Sequence, residues 1–134
     1  MPIYTTYLAY LKRFNYNPQK VFPSKAEPVV FYYVMRNRGH NEVAPPEQLL
    51  RSYKQHEITW KEYEAEYLAS LDERVNPWAI GWMQKRAEEA KTMHVILVCF
   101  EKNPDKCHRR LLAETIAEQC NAEYKGDLSE LYSP

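Results

Sequence analysis

Residues Val95 to Phe100 form an unbroken apolar run, Val-Ile-Leu-Val-Cys-Phe, rich in β-branched side chains. A strand of this kind offers no polar face to water, so both of its faces are expected to be covered. A short polar connection follows. It leads into Cys107-His108-Arg109-Arg110 and on to Cys120, where apolar residues recur at helical spacing. A buried strand running through a loop into a helix is the repeating unit of an α/β sheet. Such sheets take their ligands outside the carboxyl ends of the strands. Cys99, Glu101, Lys102, Cys107, His108, Arg109 and Arg110 all crowd this one junction.

The rest of the chain supplies the partners such a unit needs. With 134 residues, a single domain spanning 1–134 is expected. Ile3 to Tyr10 is β-prone and runs into a short helix near 8–14. The stretch 15–28 carries Pro18, Pro23 and Pro28 and reads as a loop. Val29 to Met35 is a second apolar strand, expected to be buried. It ends in the basic loop Arg36-Asn-Arg-Gly-His40, which a parallel sheet would place beside the Cys99 loop. Pro45-Pro46 opens a helix to about Gln55, with Leu49, Leu50 and Tyr53 on one side. Thr59 and Glu62 fit a capping box, followed by the stripe Trp60, Tyr63, Tyr67, Leu68 and Leu71. Asn76-Pro77 starts the next helix, with Trp78, Trp82 and Met83 as its buried face and Gly81 serving close packing. Residues 85–91 read as exposed. Asn103-Pro104 repeats the same opening for the last helix, 122–124 reads as a short strand, and 126–134 reads as surface.

Eighteen basic residues balance eighteen acidic ones, so bulk charge gives no attraction to nucleic acid or membranes. Eleven tyrosines, eight of them before residue 65, fit core edges or a binding rim that stacks bases. The start shows no basic and apolar leader, and no run reaches the ~20 apolar residues of a membrane span. Three cysteines, Cys99, Cys107 and Cys120, argue against a disulfide framework and for the reducing cytoplasm.

At 100° per residue, Leu111, Leu112, Thr115 and Ile116 form the inward face of the last helix. His108 lies near its centre, Cys107 and Arg109 flank it, and Arg110 points away. His108 is thus aimed at the end of the strand carrying Cys99. A thiol in the first helical turn, beside a histidine and arginines, is a candidate for a lowered pKa, and the free N–H groups there suit an anion. The bland alternative is that buried cysteine packs as a small hydrophobe and the histidine only satisfies the core.

Several sharper templates fail. A phosphatase-type loop needs arginine six residues after its cysteine, where this chain has Asp105 or Ala113. Neither a glycine-rich phosphate loop nor Cys-x-x-Cys is present. Zinc on Cys99, Cys107 and His108, with His40 or His94 as a fourth ligand, is chemically allowed, but the spacing matches no known zinc pattern. No metal or other cofactor is therefore expected.

Val-Ile-Leu-Val-Cys-Phe-Glu-Lys, then Cys-His-Arg and Leu-Leu-Ala-Glu, resemble the signature of the Domain of Unknown Function 488 family, which includes the YeaO-like proteins. Ile3-Tyr-Thr-Thr-Tyr7, Leu50-Arg-Ser-Tyr-Lys54 and Trp60 to Leu68 resemble its first strand and middle helices. The resemblance implies a small three-layer α/β fold with a mostly parallel sheet flanked by helices. It places Cys99, Glu101, Lys102, Cys107, His108 and Arg109 at signature positions. Met35-Arg36-Asn37-Arg38 stands where many relatives carry an Asp-Val-Arg-like or serine-arginine segment. The family has no settled activity to transfer.

The reading that follows is a cytoplasmic enzyme acting on a phosphate-bearing small molecule, a nucleotide or a nucleic acid. Arg109, Lys102, Arg36 and Tyr4 hold the anion, His108 or Glu101 moves protons, and Cys99 or Cys107 serves as nucleophile. The alternatives are a non-catalytic nucleotide or nucleic-acid binding module and a zinc-stabilised structural domain. No protein partner is inferable.

Overall fold

A computed structural model describes residues 2–17, 20, 22, 28–36, 39–101 and 106–131. Four strands, β1 (Ile3–Tyr7), β2 (Val29–Tyr33), β3 (His94–Cys99) and β4 (Tyr124–Asp127), form one sheet in the order β2-β3-β1-β4. Every pairing is parallel. Helices α1 (Leu8–Lys12), α2 (Glu47–Lys54), α3 (Trp60–Ser70), α4 (Pro77–Glu89), α5 (His108–Gln119) and α6 (Leu128–Leu131) connect and follow the strands.

β3 is buried along its whole length, as its composition requires. Val95, Leu97 and Cys99 enter one core with residues of α2 to α5, while Ile96 and Val98 enter a second core with α1, Phe22 and α6. Alternation along one strand thus separates the two faces of a three-layer fold. Each fully buried aliphatic side chain contributes about 1.5–3 kcal/mol, and β3 anchors both layers.

Local signals place the helices. Thr59 accepts from the Glu62 N–H at 3.2 Å and Glu62 accepts from the Thr59 N–H at 3.1 Å, completing the capping box of α3. Pro77 occupies the first turn of α4, with Asn76 at the cap position. The Asn76 side chain makes no cap bond there and instead donates to the Glu42 carbonyl at 2.9 Å.

Several expectations are corrected. β2 is an edge strand and only half-buried, because β3 covers it on one side alone. Trp78 is 75% exposed. The buried face of α4 runs through Ala79, Trp82, Met83, Arg86 and Ala87, and Trp78 lies one residue off that stripe. Gly81 serves no close contact, since a Cβ there would meet nothing within 4 Å. Arg86, expected at the surface, is buried with its guanidinium 4.0 Å from the Tyr32 ring centroid. Leu68 is exposed beside the buried Tyr63, Tyr67 and Leu71. α5 starts at His108 rather than at the Asn-Pro pair, which lies outside the described residues, as do Pro18 and Pro23. The segment from 126 is not plain surface, because Asp127 and Leu128 are buried. Among the described residues no helix is long and apolar enough to cross a membrane.

Candidate functional site

The carboxyl ends of β2 and β3 and the start of α5 meet in a cleft of about 410 Å³, a size usual for small-molecule sites. Cys99 is the last residue of β3. Cys107 is the extended N-cap of α5, and His108 is the first residue of that helix. A strand end and a helix start therefore bring three reactive side chains to one floor. Cys107 Sγ lies 3.0 Å from Cys99 Sγ, and His108 Nδ1 lies 3.7 Å from Cys99 Sγ and 3.9 Å from Cys107 Sγ. All three are buried.

The imidazole is held from its far side. His108 Nε2 is 2.8 Å from the Val34 carbonyl. A carbonyl only accepts, so the proton sits on Nε2, and in the neutral ring the Nδ1 lone pair faces the two sulfurs. The Tyr67 ring meets His108 edge-on at 5.5 Å, and its hydroxyl donates to the Val43 carbonyl at 2.6 Å.

The two thiols are inequivalent. The hydrogen bond that Cys107 donates holds the Cys99 thiol below its ordinary range against the opposing effect of burial, helped by the Glu101 N–H and the Arg109 charge. Burial, then that same donated bond, pushes Cys107 well up. The sequence pointed to the helix-start thiol as the acidic one. The structure gives that character to Cys99, because both thiols are buried but Cys107 donates the bond and Cys99 accepts it. Burial also drives Tyr63 far above the usual phenol range, so its hydroxyl stays neutral.

Arg36 and Glu101 line the cleft with the floor residues. Arg36 Nε donates to the Pro45 carbonyl at 2.8 Å and Nη2 to the Ala44 carbonyl at 3.4 Å, which fixes the guanidinium on the wall. Lys102 lies outside the described residues. Two residues expected to hold an anion are not in the lining. Tyr4 is buried in the second core, its ring 5.0 Å from that of Phe22 and 5.6 Å from that of His94. Arg109 is fully buried, pairs through Nε with Asp127 Oδ2 at 2.9 Å, and donates through Nη1 to the Glu101 carbonyl. It braces the turn after Cys99 rather than facing the cleft. Arg110 turns outward to Glu114 at 2.9 Å.

Sequence reasoning missed Lys54, Lys106 and Phe100 as cleft residues, and Asp127 as the anchor of Arg109. Lys106 adjoins the Cys-His-Arg motif and Phe100 follows Cys99, so proximity alone was a usable signal. Nothing local marks Asp127, which reaches Arg109 only through the pairing of β4 with β1. Neither proposed fourth zinc ligand is near. His40 Nδ1 takes the Trp82 indole N–H at 3.0 Å, and His94 stacks on Phe22 on the other face of the sheet.

Searches among curated proteins and among solved structures gave no match. The family model DUF488-N3a, described as the active DUF488-N3 subclade, matches residues 35–120. That span is well over half of the 134 residues and carries the cleft floor, the Arg36 wall and helices α2 to α5. The chain therefore belongs to the DUF488 family.

Proposed function

We propose that the cleft is the active site of an enzyme acting on a phosphate-bearing substrate, a nucleotide or a nucleic acid. The observation that carries this reading is the composition of one lining. Arg36, Lys54 and Lys106 stand around the Cys99–Cys107–His108 floor, with the rings of Tyr53 and Phe100 in the same wall. Cations suit phosphate oxygens, and aromatic faces suit a base. The thiol–imidazole floor supplies the reactive centre, and Glu101 is a carboxylate in the lining able to carry a proton. The designation of the matched subclade as active supports catalysis over simple binding. Free thiols at the floor suit the reducing cytoplasm as the working compartment.

The test incubates the protein with a panel of nucleotides and short oligonucleotides, follows products by mass spectrometry and measures binding separately by intrinsic fluorescence. Cys99→Ala is expected to abolish turnover and leave binding largely intact. Binding without turnover by the wild type would reduce the cleft to a binding module. No binding by any phosphate-bearing ligand would end the reading.

A further inference from the structure

Two thiols and an imidazole nitrogen aimed at one point form a donor set as well as a reactive centre. The three ligand atoms of Cys99, Cys107 and His108 all lie within 4.8 Å of one another. Tetrahedral zinc, with bonds of about 2.3 Å to sulfur and about 2.0–2.1 Å to nitrogen, sets sulfur and nitrogen about 3.6 Å apart and two sulfurs about 3.8 Å apart. The observed sulfur–nitrogen separations, 3.7 and 3.9 Å, already match. The sulfur–sulfur separation, 3.0 Å, is shorter than that, with the Cys107 thiol proton directed at Cys99 Sγ. When a cation replaces that proton, the two thiolates repel and open toward the larger value.

The second shell fits as well. A metal-bound histidine usually donates its other N–H to a carbonyl or carboxylate, which fixes the ring and leaves the remaining lone pair for the metal. The Val34 carbonyl does this for His108 Nε2 at 2.8 Å. Two soft sulfur donors select against magnesium and calcium, and with one imidazole they suit zinc. The spacing along the chain matches no zinc-finger pattern because one ligand ends a strand and two open a helix. The fold, not a knuckle, sets their geometry.

We infer that Cys99, Cys107 and His108 bind one zinc ion whose fourth coordination position opens on the cleft. All three line that cleft, and among the described residues no further histidine or cysteine joins the group. Three protein ligands with an open position are the pattern of catalytic rather than structural zinc. A water in that position would lose a proton more readily than bulk water, and Glu101 is a carboxylate of the same lining. The inference goes beyond the nucleotide reading and does not depend on it.

The test uses the full chain purified under reducing conditions without chelator. Elemental analysis is expected to find one equivalent of zinc. Cobalt(II) added to the stripped protein should produce the near-ultraviolet thiolate-to-cobalt band and the visible bands of four-coordinate cobalt. Cys99→Ser, Cys107→Ser and His108→Ala should each lose them, and Cys120→Ser, outside the cluster, should keep them. Folded wild type that gives neither stoichiometric zinc nor the thiolate band overturns the inference, even if the variants fail to fold. Bands that persist in Cys99→Ser and Cys107→Ser overturn it too, because the metal is then elsewhere. Nucleotide binding, measured on stripped and zinc-loaded protein, keeps the two proposals apart. Binding without metal uptake sinks only the zinc site, and metal uptake without binding sinks only the ligand class.

Discussion

Arg109 Nε lies 2.9 Å from Asp127 Oδ2, with the side chains 0% and 1% exposed, and the same guanidinium holds the Glu101 carbonyl. Asp127 Oδ2 also accepts from Thr5 Oγ1 at 2.9 Å, and Oδ1 accepts from the Ser129 N–H and hydroxyl at 3.2 and 2.6 Å. One carboxylate of β4 thus joins β1, α6 and the turn that follows Cys99.

Removing either partner leaves the other charge buried, which costs about 3–5 kcal/mol. Asp127→Ala and Arg109→Ala are each expected to lose that much in urea denaturation. Arg110→Ala breaks a partly exposed pair with Glu114 and should cost no more than about 1 kcal/mol. Comparable small losses from all three variants would remove the buried pair from the account of the site.

The two sulfurs 3.0 Å apart make a second expectation. Mild oxidation of metal-free protein should join Cys99 to Cys107 first and leave Cys120 open to alkylation. Peptide mapping without reductant reads the outcome. A first product bridged through Cys120, or between two chains, would contradict the arrangement of the floor.

Phosphate added in steps is expected to shift the backbone amides of Lys54 and of 106–108 most. Lys54→Ala and Lys106→Ala should each weaken binding roughly fivefold, about 1 kcal/mol. Lys91→Ala, exposed and outside the cleft, should leave binding unchanged. If Lys91→Ala weakens it as much, phosphate is seeing general surface charge.

Burial, then the bond it donates to Glu89, pushes Tyr32 from the ordinary 10.0 up to about 12. Burial pushes Tyr124 up to about 12 as well. Both phenols keep their protons longer in the folded chain than in the unfolded one. The stability they contribute is therefore full below pH ~10 and lost as pH rises from about 10 to about 12. Phenolate absorbance should show these groups titrating late, and Tyr32→Phe should flatten part of the alkaline loss of stability. An unchanged alkaline profile in that variant would refute the assignment.

Two glycines should respond oppositely to alanine. Gly81 lies inside α4 with open space where a Cβ would go, so Gly81→Ala should stabilise by about 0.5–1 kcal/mol. A Cβ on Gly39 would stand 2.0 Å from the Tyr33 carbonyl oxygen, so Gly39→Ala must displace the loop after β2. Thermal unfolding of the two variants checks the signs, and a stabilised Gly39→Ala would contradict the packing of that loop.

Signals that act over a few residues were legible in the sequence. The apolar run of β3, the Thr59–Glu62 box, the Pro77 start and the inward face of α5 all needed only local spacing. The meeting of Cys99 with His108 followed from a strand end and a helical wheel. Legibility failed where the neighbour was remote. Arg86 reads as a surface charge until Tyr32 and Trp82 cover it. Arg109 reads as an anion ligand until Asp127 arrives, and Lys54 reads as one more exposed lysine until the fold sets it at the rim of the cleft. The acidity of Cys99 over Cys107 depended on which of two buried thiols donates and which accepts, which no spacing encodes.

The carboxylate that anchors Arg109 arrives on the last strand of the sheet, and that strand docks against the first. Order of synthesis then matters. Every member of the thiol–imidazole cluster leaves the ribosome before Asp127 does. Until β4 seats on β1, Arg109 has no Asp127 to pair with, and the turn after Cys99 lacks that brace. A chain clipped after Cys120 would carry all the reactive residues but leave the Arg109 charge buried without its carboxylate, so the brace of the cluster is set only when the fold closes.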